Sequence, residues 1–310
     1  MATVAEIIAT ADSIEQAAQL TAAGADYIYA GEDEFGLRLP HSFARAELTD
    51  LVQAVHAAGK KVLVAVNAIF HNDRIGEVGA YLQFLHAIAV DMVSIGDPGA
   101  IHVLQKESIP LPYLYDGADL VTSSRQIDFW ARHGAVAAQV APEVPYGELV
   151  PLMQHVTIPV SYLVYGASAI HQSGRPLLDN YFSFVKDHQE RTDRARGLFI
   201  SAPHKPETHY SIYEDRNGTH VFATNDVNLF GELDRVHALG IHYWKLDGLF
   251  VPGQQFSQIV AAFAHARDAL AAGQWTSALV ADGQHVIADN TPVNRATDTG
   301  FFDIDPDEVK

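Results

Sequence analysis

Eight short apolar segments alternate with amphipathic segments along this chain, and that alternation limits its fold more than any other feature. Segments such as KKVLVAVNAI and DMVSIGD are almost continuously apolar, which is typical of strands buried on both faces of a parallel sheet. Each is followed, directly or after an insert, by a stretch with helical periodicity, for example residues 45–58, which precede Gly59. Eight such units close most simply into a TIM-like (β/α)8 barrel, and a doubly wound open sheet is the alternative.

The predicted barrel occupies residues 1–273 and is interrupted by an irregular insert at about 168–227. The insert follows the seventh strand, SYLVYGA, which is expected to end at Gly166 and to open into a polar loop. Within the insert, YSIYEDRNGTHVFAT predicts a β-hairpin, because Asn217–Gly218 is a favoured two-residue turn. Residues 274–310 are expected to form an extended C-terminal tail, packed on the barrel or trailing from it.

Composition excludes several kinds of chemistry. The chain has no cysteine, so it cannot contain a disulfide, a cysteine nucleophile or a thiolate-bound cluster of its own. A formal net charge of -18 argues against broad adhesion to nucleic acid or anionic membrane, although it leaves room for a local basic face. The most cationic stretch, Lys186 to Lys205, also contains acidic residues, so we interpret it as a solvated helix surface.

The N-terminus and the apolar runs bear on where the protein is located. The first residues, MATVAEIIATADS, contain Glu6 and lack the basic start of a secretory signal. No apolar run approaches the length that crosses a bilayer. We therefore expect a cytoplasmic protein without membrane contact.

Candidate site residues follow from the barrel prediction, because barrels of this kind carry their chemistry at the carboxyl ends of the strands. Glu32 and His71 are polar residues at predicted strand ends that we do not assign a role. The candidate catalytic residues are Glu143, His171, Lys245 and Asp247. The candidate substrate-binding residues are Arg38, Asn67, Asp97, Asp116, Tyr165 and Arg175. Each has a structural alternative; Asp97, for example, precedes a Pro-Gly pair and can cap the next helix.

Five of these side chains are expected to converge on one cavity, since the sixth, seventh and eighth strands are neighbours in a closed barrel. They are Glu143, His171, Arg175, Lys245 and Asp247. Arg175 can bind a small carboxylate or phosphate ligand through two parallel hydrogen bonds, and His171 can transfer a proton near neutral pH. Lys245 and Asp247 share one face of their strand and need partners there. The structural alternative is an ion pair of Lys245 with Asp247 or Glu143 that closes the barrel end.

Standard catalytic motifs are missing from the sequence. There is no G-x-S-x-G elbow, no H-E-x-x-H motif, no P-loop and no G-x-G-x-x-G loop. His204 and His209 lie five residues apart in a predicted loop, where solvent-exposed histidines are expected rather than zinc ligands. We predict no metal site.

Several longer stretches carry a family resemblance. They are GADYIYAGEDEFGLR, KKVLVAVNAIFHND, VDMVSIGDPGAI, QVAPEV, YGASAIHQSGRPLLDNYF and GIHYWKLDG, with GFF near the C-terminus. Together they resemble peptidase family U32, the collagenase-like proteins, and in particular the short member of a pair found in Gram-positive bacteria. The resemblance implies a role in oxygen-independent hydroxylation of RNA, including tRNA wobble uridine. It also implies a longer U32 paralogue as partner, with tRNA bound through that complex.

The sequence departs from the family where a cofactor is expected. The family motif after the seventh strand is close to HGALCxxYSGRC, and its cysteines help to hold an iron–sulfur cluster. Ala169 and Pro176 occupy the two cysteine positions here, Tyr165 replaces the histidine, and the later cysteines are missing around Ser201–His209. We therefore expect no cofactor in this chain. Two alternatives to the RNA-hydroxylase subunit stay open, namely a peptidase and a noncatalytic binding or scaffold subunit.

Overall fold

The computed structural model describes residues 4–117, 120–186 and 191–308, and it has one continuous sheet. Its strands are β1 Glu6–Thr10, β2 Tyr27–Ala30, β3 Lys61–Ala65, β4 Met92–Ile95, β5 Tyr113–Tyr115, β6 Ala135–Gln139, β7 Val160–Ser173, β8 Phe199–Ala202, β9 Lys205–Asp215, β10 Gly218–Asn228, β11 Tyr243–Leu246 and β12 Ala296–Asp298. Its helices are α1 Ile14–Ala22, α2 Arg45–Ala57, α3 Ile75–Ala87, α4 Pro98–Lys106, α5 Ser124–Arg132, α6 Tyr146–Met153, α7 Leu177–Val185, α8 Leu233–Ala238, α9 Gly253–Ala271 and α10 Ser277–Asn290. Every helix in these ranges is too short or too polar to cross a lipid bilayer.

Eight parallel strands close into a barrel, which confirms the predicted fold and excludes the open sheet. Strands β1 to β7 pair in sequence order, and β11 closes the ring by pairing with both β1 and β7. The closing register places Lys245 beside Ile8 on one side and beside Leu163 on the other. The last barrel strand therefore sits between the first and the seventh, as a (β/α)8 barrel requires.

Local signals explain where the helices begin. The hydroxyl of Ser13 accepts a hydrogen bond from the Gln16 amide at 3.1 Å and caps α1. The carboxylate of Asp97 caps α4 in the same way, with Pro98 at the first helical position. The barrel interior below the polar end is filled by apolar and aromatic side chains, so the strand ends are the place where a site can open. The interior cluster contains Ile8, Tyr27, Tyr29, Leu63, Ala65, Met92, Leu114, Ala137 and Tyr243.

The seventh strand is longer than predicted. It does not end at Gly166 but continues to Ser173, because residues beyond the barrel rim pair antiparallel with β10. Gly166 sits at the bend with φ +118°, where an added Cβ would lie 2.2 Å from the carbonyl oxygen of Asp247. The insert is thus a small antiparallel sheet made of β8, β9, β10 and the end of β7, with α7 packed against it through Leu178. The predicted polar loop after Gly166 is wrong.

The predicted hairpin is present, with its turn one residue earlier than expected. Strands β9 and β10 pair so that Gly218 lies opposite Asp215, and Arg216 and Asn217 form the loop between them. Gly218 takes φ +103°, a conformation that glycine adopts without a steric penalty.

The C-terminal segment is folded rather than extended, so that part of the prediction is wrong. Thr276 caps α10, and small or apolar side chains recur on the face that packs against α9 and the turn at residues 230–232. An added Cβ on Gly283 would lie 2.1 Å from the ring of Phe230, which shows how closely α10 approaches the turn at residues 230–232. After α10 the chain forms β12, which pairs parallel with β10 and joins the insert to the C-terminal segment.

Candidate functional site

A polar cavity lies at the carboxyl end of the barrel, and we call it the mouth cavity. Its volume is about 70 Å³. Its polar lining residues are Tyr29, Arg38, Asn67, Asp116, Gln139, Ser168, Lys245 and Asp247. Five of these were predicted from their places after strands, namely Arg38, Asn67, Asp116, Lys245 and Asp247. The structure brings them together, and their roles in binding or catalysis stay predictions.

Asp116 is held by two buried donors on one side of the mouth cavity. The Asn67 side-chain amide donates to Asp116 Oδ2 at 3.0 Å, and the Ser94 hydroxyl donates to the same oxygen at 2.8 Å. Asn67 in turn accepts a hydrogen bond from the Leu37 amide at 3.0 Å. Because all of these atoms are buried, the hydrogen bonds fix the carboxylate and tie the loop after β2 to the neighbouring strands.

Lys245 also lines the mouth cavity, and it does so without an ion pair. Within the part of the chain that the structure describes, no carboxylate comes within 4.0 Å of its Nζ, so the structural alternative, an ion pair with Asp247 or Glu143, is not observed. Its Nζ instead lies 4.9 Å from the ring centroid of Tyr29, within the range of a cation–π interaction. Asp247 uses its Oδ1 to accept the Leu249 amide hydrogen at 2.9 Å. The two charges therefore line the cavity separately.

Burial sets the protonation tendencies of two groups in the mouth cavity. Burial raises the pKa of Asp247, and the positive charges of Lys245 and Arg38 partly oppose that increase. Burial also raises the pKa of Tyr29, and the nearby charge of Asp116 raises it further. The Tyr29 phenol therefore stays neutral and keeps its O–H as a hydrogen-bond donor.

Arg38 reaches the cavity from a strained backbone position. Its φ of +54° is in the left-handed region, which is uncommon for a residue with a side chain. Its guanidinium donates to Gln172 Oε1 at 3.0 Å, and Gln172 belongs to the part of β7 that extends beyond the barrel. Gln172 of the insert therefore holds the guanidinium of Arg38 in place.

The hairpin of the insert closes over the same loop. The Asn217 amide donates to the carbonyl oxygens of Asp33 at 2.7 Å and Gly36 at 3.3 Å. Arg194 donates to the Leu39 carbonyl at 2.9 Å and also to the Pro40 carbonyl. These hydrogen bonds reach the loop both before and after Arg38, so the insert covers the loop that carries Arg38 into the mouth cavity.

The predicted convergence fails for Glu143, His171 and Arg175, which do not line the mouth cavity. His171 and Arg175 are exposed. The reason is the extension of β7, since five residues of strand beyond Gly166 carry His171 about 17 Å along the chain. Glu143 is partly exposed and lies outside the cavity lining.

Two further candidates serve packing and capping. Tyr165 points to the helix layer, where its ring lies 5.9 Å from that of Phe263, and burial raises its pKa to about 12. Asp97 accepts the amide hydrogens of Gly99 and Ala100 as a helix cap, so its structural alternative is the one observed. Neither residue lines the mouth cavity.

Sequence reasoning missed Tyr29, Ser94, Gln139 and Ser168. Tyr29 had a usable signal, because it alternates with Ile28 in YIYA and must therefore face the barrel interior. Ser168 had none, since only the extension of β7 brings it to the cavity. Its hydroxyl is buried and makes no hydrogen bond to any described residue.

Comparison with known proteins decides the family. The sequence profile of "Peptidase family U32" matches residues 12–310, nearly the whole chain. The chain belongs to peptidase family U32. This U32 protein is 33% identical to "tRNA hydroxylation protein P2" of Bacillus subtilis over 96% of this chain and 97% of that relative. It is 22% identical to "tRNA hydroxylation protein P1" of the same organism, over 97% of this chain and 71% of the relative.

More distant U32 relatives extend the pattern. The chain is 21% identical to "23S rRNA 5-hydroxycytidine C2501 synthase" of Escherichia coli, over 80% of this chain and 37% of that relative. Among solved structures, "The Structure of the U32 Peptidase Mk0906" superposes with a TM-score of 0.53 at 16% identity, covering 80% of this chain and 94% of the other. At that identity the likeness concerns the fold alone.

The residues of this U32 protein do not fit the iron–sulfur cluster that the family resemblance implies. The chain has no cysteine, and thiolates are the usual cluster ligands. Ala169 lines the mouth cavity, whereas Pro176 lies just before α7. Across residues 4–117, 120–186 and 191–308, no three His, Asp or Glu side chains gather in a way that can hold a metal ion.

Proposed function

We propose that this U32 protein is a cytoplasmic subunit of a system that hydroxylates tRNA at the wobble uridine. The observation that carries the proposal is its 33% identity, over almost the full length of both chains, to a protein named for tRNA hydroxylation. The P1 protein of the same organism supports a second element of the proposal, a longer U32 paralogue as partner. Because this chain has no thiolate ligand, any iron–sulfur chemistry is assigned to that partner.

The mouth cavity is the proposed site for a small carboxylate or phosphate ligand. Arg38 and Lys245 face it, and among the described residues neither has a carboxylate within 4.0 Å. Such cations attract an anion strongly in a cavity that is partly removed from water. Asp116, fixed by Asn67 and Ser94, sets the orientation by accepting a hydroxyl or amide hydrogen of the ligand.

Two more groups complete the assignment of the cavity. Tyr29 supplies a neutral hydrogen-bond donor. Asp247, whose pKa is raised by burial, is suited to hold or accept a proton. Hydrolysis is not proposed, because among the described residues no histidine lines the cavity beside Ser168.

Genetic complementation tests the proposal. A strain without this gene is complemented with Lys245→Met, Lys245→Arg or the control Arg175→Ala, and hydroxylated uridine in its tRNA is measured by mass spectrometry. We expect loss of the modified nucleoside with Lys245→Met, partial recovery with Lys245→Arg and full recovery with Arg175→Ala, because Arg175 is exposed and outside the cavity. Unchanged hydroxylation in the deletion strain would refute the function.

The same strains distinguish failure of the cavity assignment from failure of the proposed function. If the deletion removes hydroxylation but Lys245→Met restores it fully, the cavity assignment is wrong. Co-purification with the longer paralogue, in parallel, tests the partner. A wild-type protein that never associates with that paralogue would count against the proposed complex.

A further inference from the structure

A second concave site lies on the outer face of the insert, where β8 and β9 meet the C-terminal segment. This cleft has a volume of about 400 Å³, in the usual range for sites that hold a nucleotide-sized ligand. Its walls include Arg194, Phe199, His209, Phe250, Asn294 and Arg295. We infer that this cleft, called the insert cleft below, binds one unpaired nucleotide of single-stranded RNA. The inference rests on the proposed function and adds where the RNA contacts this chain.

The aromatic wall suits a nucleobase. The rings of Phe199 and His209 lie 4.1 Å apart at an angle of 32°, and both side chains are exposed, Phe199 by 53%. Exposed aromatic rings are costly in water and offer a flat surface on which any base can stack. Such stacking is the main way in which proteins hold unpaired RNA bases.

The polar lining suits the base edge and the phosphate. Asn294 is exposed at the cleft, and a side-chain amide can donate to and accept from a base edge. Arg194 contacts carbonyl oxygens, and within the described residues no carboxylate lies within 4.0 Å of it. Arg295, by contrast, is neutralised by Asp226 and serves as a structural wall. The net positive charge at the cleft therefore comes from Arg194.

The distribution of charge favours this face for a polyanion. The whole chain has 20 basic and 38 acidic residues, but residues 171–210 contain six of the former and five of the latter. RNA is repelled by a surface with this excess of acidic residues, and the near balance of charge in residues 171–210 weakens that repulsion at the insert. The prediction of a solvated helix surface from Lys186 to Lys205 is wrong for the described residues, because Arg194–Arg196 form a 3-10 turn and Phe199–Ala202 form β8.

The insert cleft is also connected to the mouth cavity. Arg194 lines the cleft and donates to the carbonyls of Leu39 and Pro40, which directly follow Arg38. A nucleotide bound at Arg194 would therefore contact a side chain that is hydrogen-bonded to the loop of Arg38, and Arg38 lines the mouth cavity. This places the RNA contact and the ligand site on the same part of the insert.

Fluorescence anisotropy tests the inference with the full chain and a fluorescein-labelled RNA hairpin that has the loop of a tRNA anticodon arm. In low salt, we expect Phe199→Ala to weaken binding by about 5- to 100-fold, which is the effect of losing one base–aromatic stack. Phe199→Tyr should retain the affinity, and Asn294→Ala should weaken it in a way that depends on the loop sequence. Circular dichroism confirms that each variant is folded.

Phe129 provides a matched control. It is 44% exposed, and its ring lies 4.3 Å from that of His133 at the same angle of 32°, but it belongs to α5 outside the insert. Phe129→Ala should bind RNA like the wild type. If Phe129→Ala and Phe199→Ala weaken binding equally, exposed aromatic residues act nonspecifically and the inference is wrong.

Other outcomes also overturn the inference. It fails if the wild-type protein does not bind the hairpin, or if Phe199→Ala binds it unchanged. It fails as well if Phe199→Ala keeps RNA affinity but no longer co-purifies with the longer paralogue, since the cleft would then bind protein. If hydroxylation in cells requires the gene while Phe199→Ala keeps RNA affinity, the proposed function stands and only the cleft assignment fails.

Discussion

Removing the positive charge of Arg295 should destabilise the protein strongly. Arg295 Nε and Nη2 donate to the two oxygens of Asp226 at 2.7 and 2.5 Å, and the two side chains are 4% and 1% exposed. The guanidinium also donates to the Ser211 hydroxyl at 2.7 Å and lies 4.2 Å from the ring centroid of Phe250. This pair joins the C-terminal segment to β10 across 69 residues of chain.

The magnitude follows from what Arg295→Met leaves behind. Asp226 would stay buried without a counter-charge, and breaking a buried pair in this way typically costs about 3–5 kcal/mol. That is a large share of the roughly 5–15 kcal/mol by which folded proteins are stable. Replacing both partners, as in Arg295→Met with Asp226→Leu, should recover most of the loss because no charge is then stranded.

Urea unfolding followed by tryptophan fluorescence measures these free energies. The control is Arg191→Met, which removes an ion pair with Asp193 whose side chains are 59% and 49% exposed; it should cost far less than Arg295→Met, because water screens an exposed pair. The reasoning is refuted if Arg295→Met costs no more than Arg191→Met. It is also refuted if the double variant is less stable than Arg295→Met alone.

Further predictions concern the bend in β7, the mouth cavity and the cofactor. Gly166→Ala should destabilise more than Gly197→Ala in urea unfolding, because both have positive φ but only at Gly166 would the Cβ meet backbone, at 2.2 Å; equal losses would contradict this. The folded wild type binds the Asp247 proton more tightly than the unfolded chain, so it loses stability as pH rises from the ordinary carboxyl pKa to the raised pKa of Asp247. Asp247→Asn has no such proton and should therefore gain stability relative to the wild type over that pH range. A pH series of unfolding free energies checks the trend, and a constant difference would exclude it. Anaerobic reconstitution with iron and sulfide should leave this chain alone without cluster absorbance, because it has no thiolate; a stoichiometric cluster would overturn that expectation.

The barrel could be predicted because its signals are local. Each barrel strand is an apolar run, and some helices begin at a side-chain cap, as Ser13 and Asp97 show, so the order of elements is encoded in short segments. The barrel then fixes that the ends of parallel strands meet, which is why Asn67, Asp116 and Lys245 reach the same cavity.

The length of β7 and the pairing of side chains depended on residues far away in sequence. Whether β7 stops at Gly166 or continues depends on β10, which offers a pairing edge and lies more than forty residues later. That extension removes His171 from the cavity and brings Ser168 into it. Lys245 and Asp247 share a strand face, yet Lys245 lies against the ring of Tyr29 on another strand, and Asp247 accepts the amide hydrogen of Leu249 two residues later.

The sequence by itself determined the eight barrel units and the residues at their ends, because periodicity and capping act over a few residues. Only the tertiary structure decided the course of the insert, the helix α10 and the partner of Arg295. Those features depend on contacts between distant segments, whose geometry no short-range pattern contains. The mouth cavity depends on both kinds of signal. Its strand-end residues follow from local sequence patterns, whereas the insert that covers it is formed by pairing between distant strands.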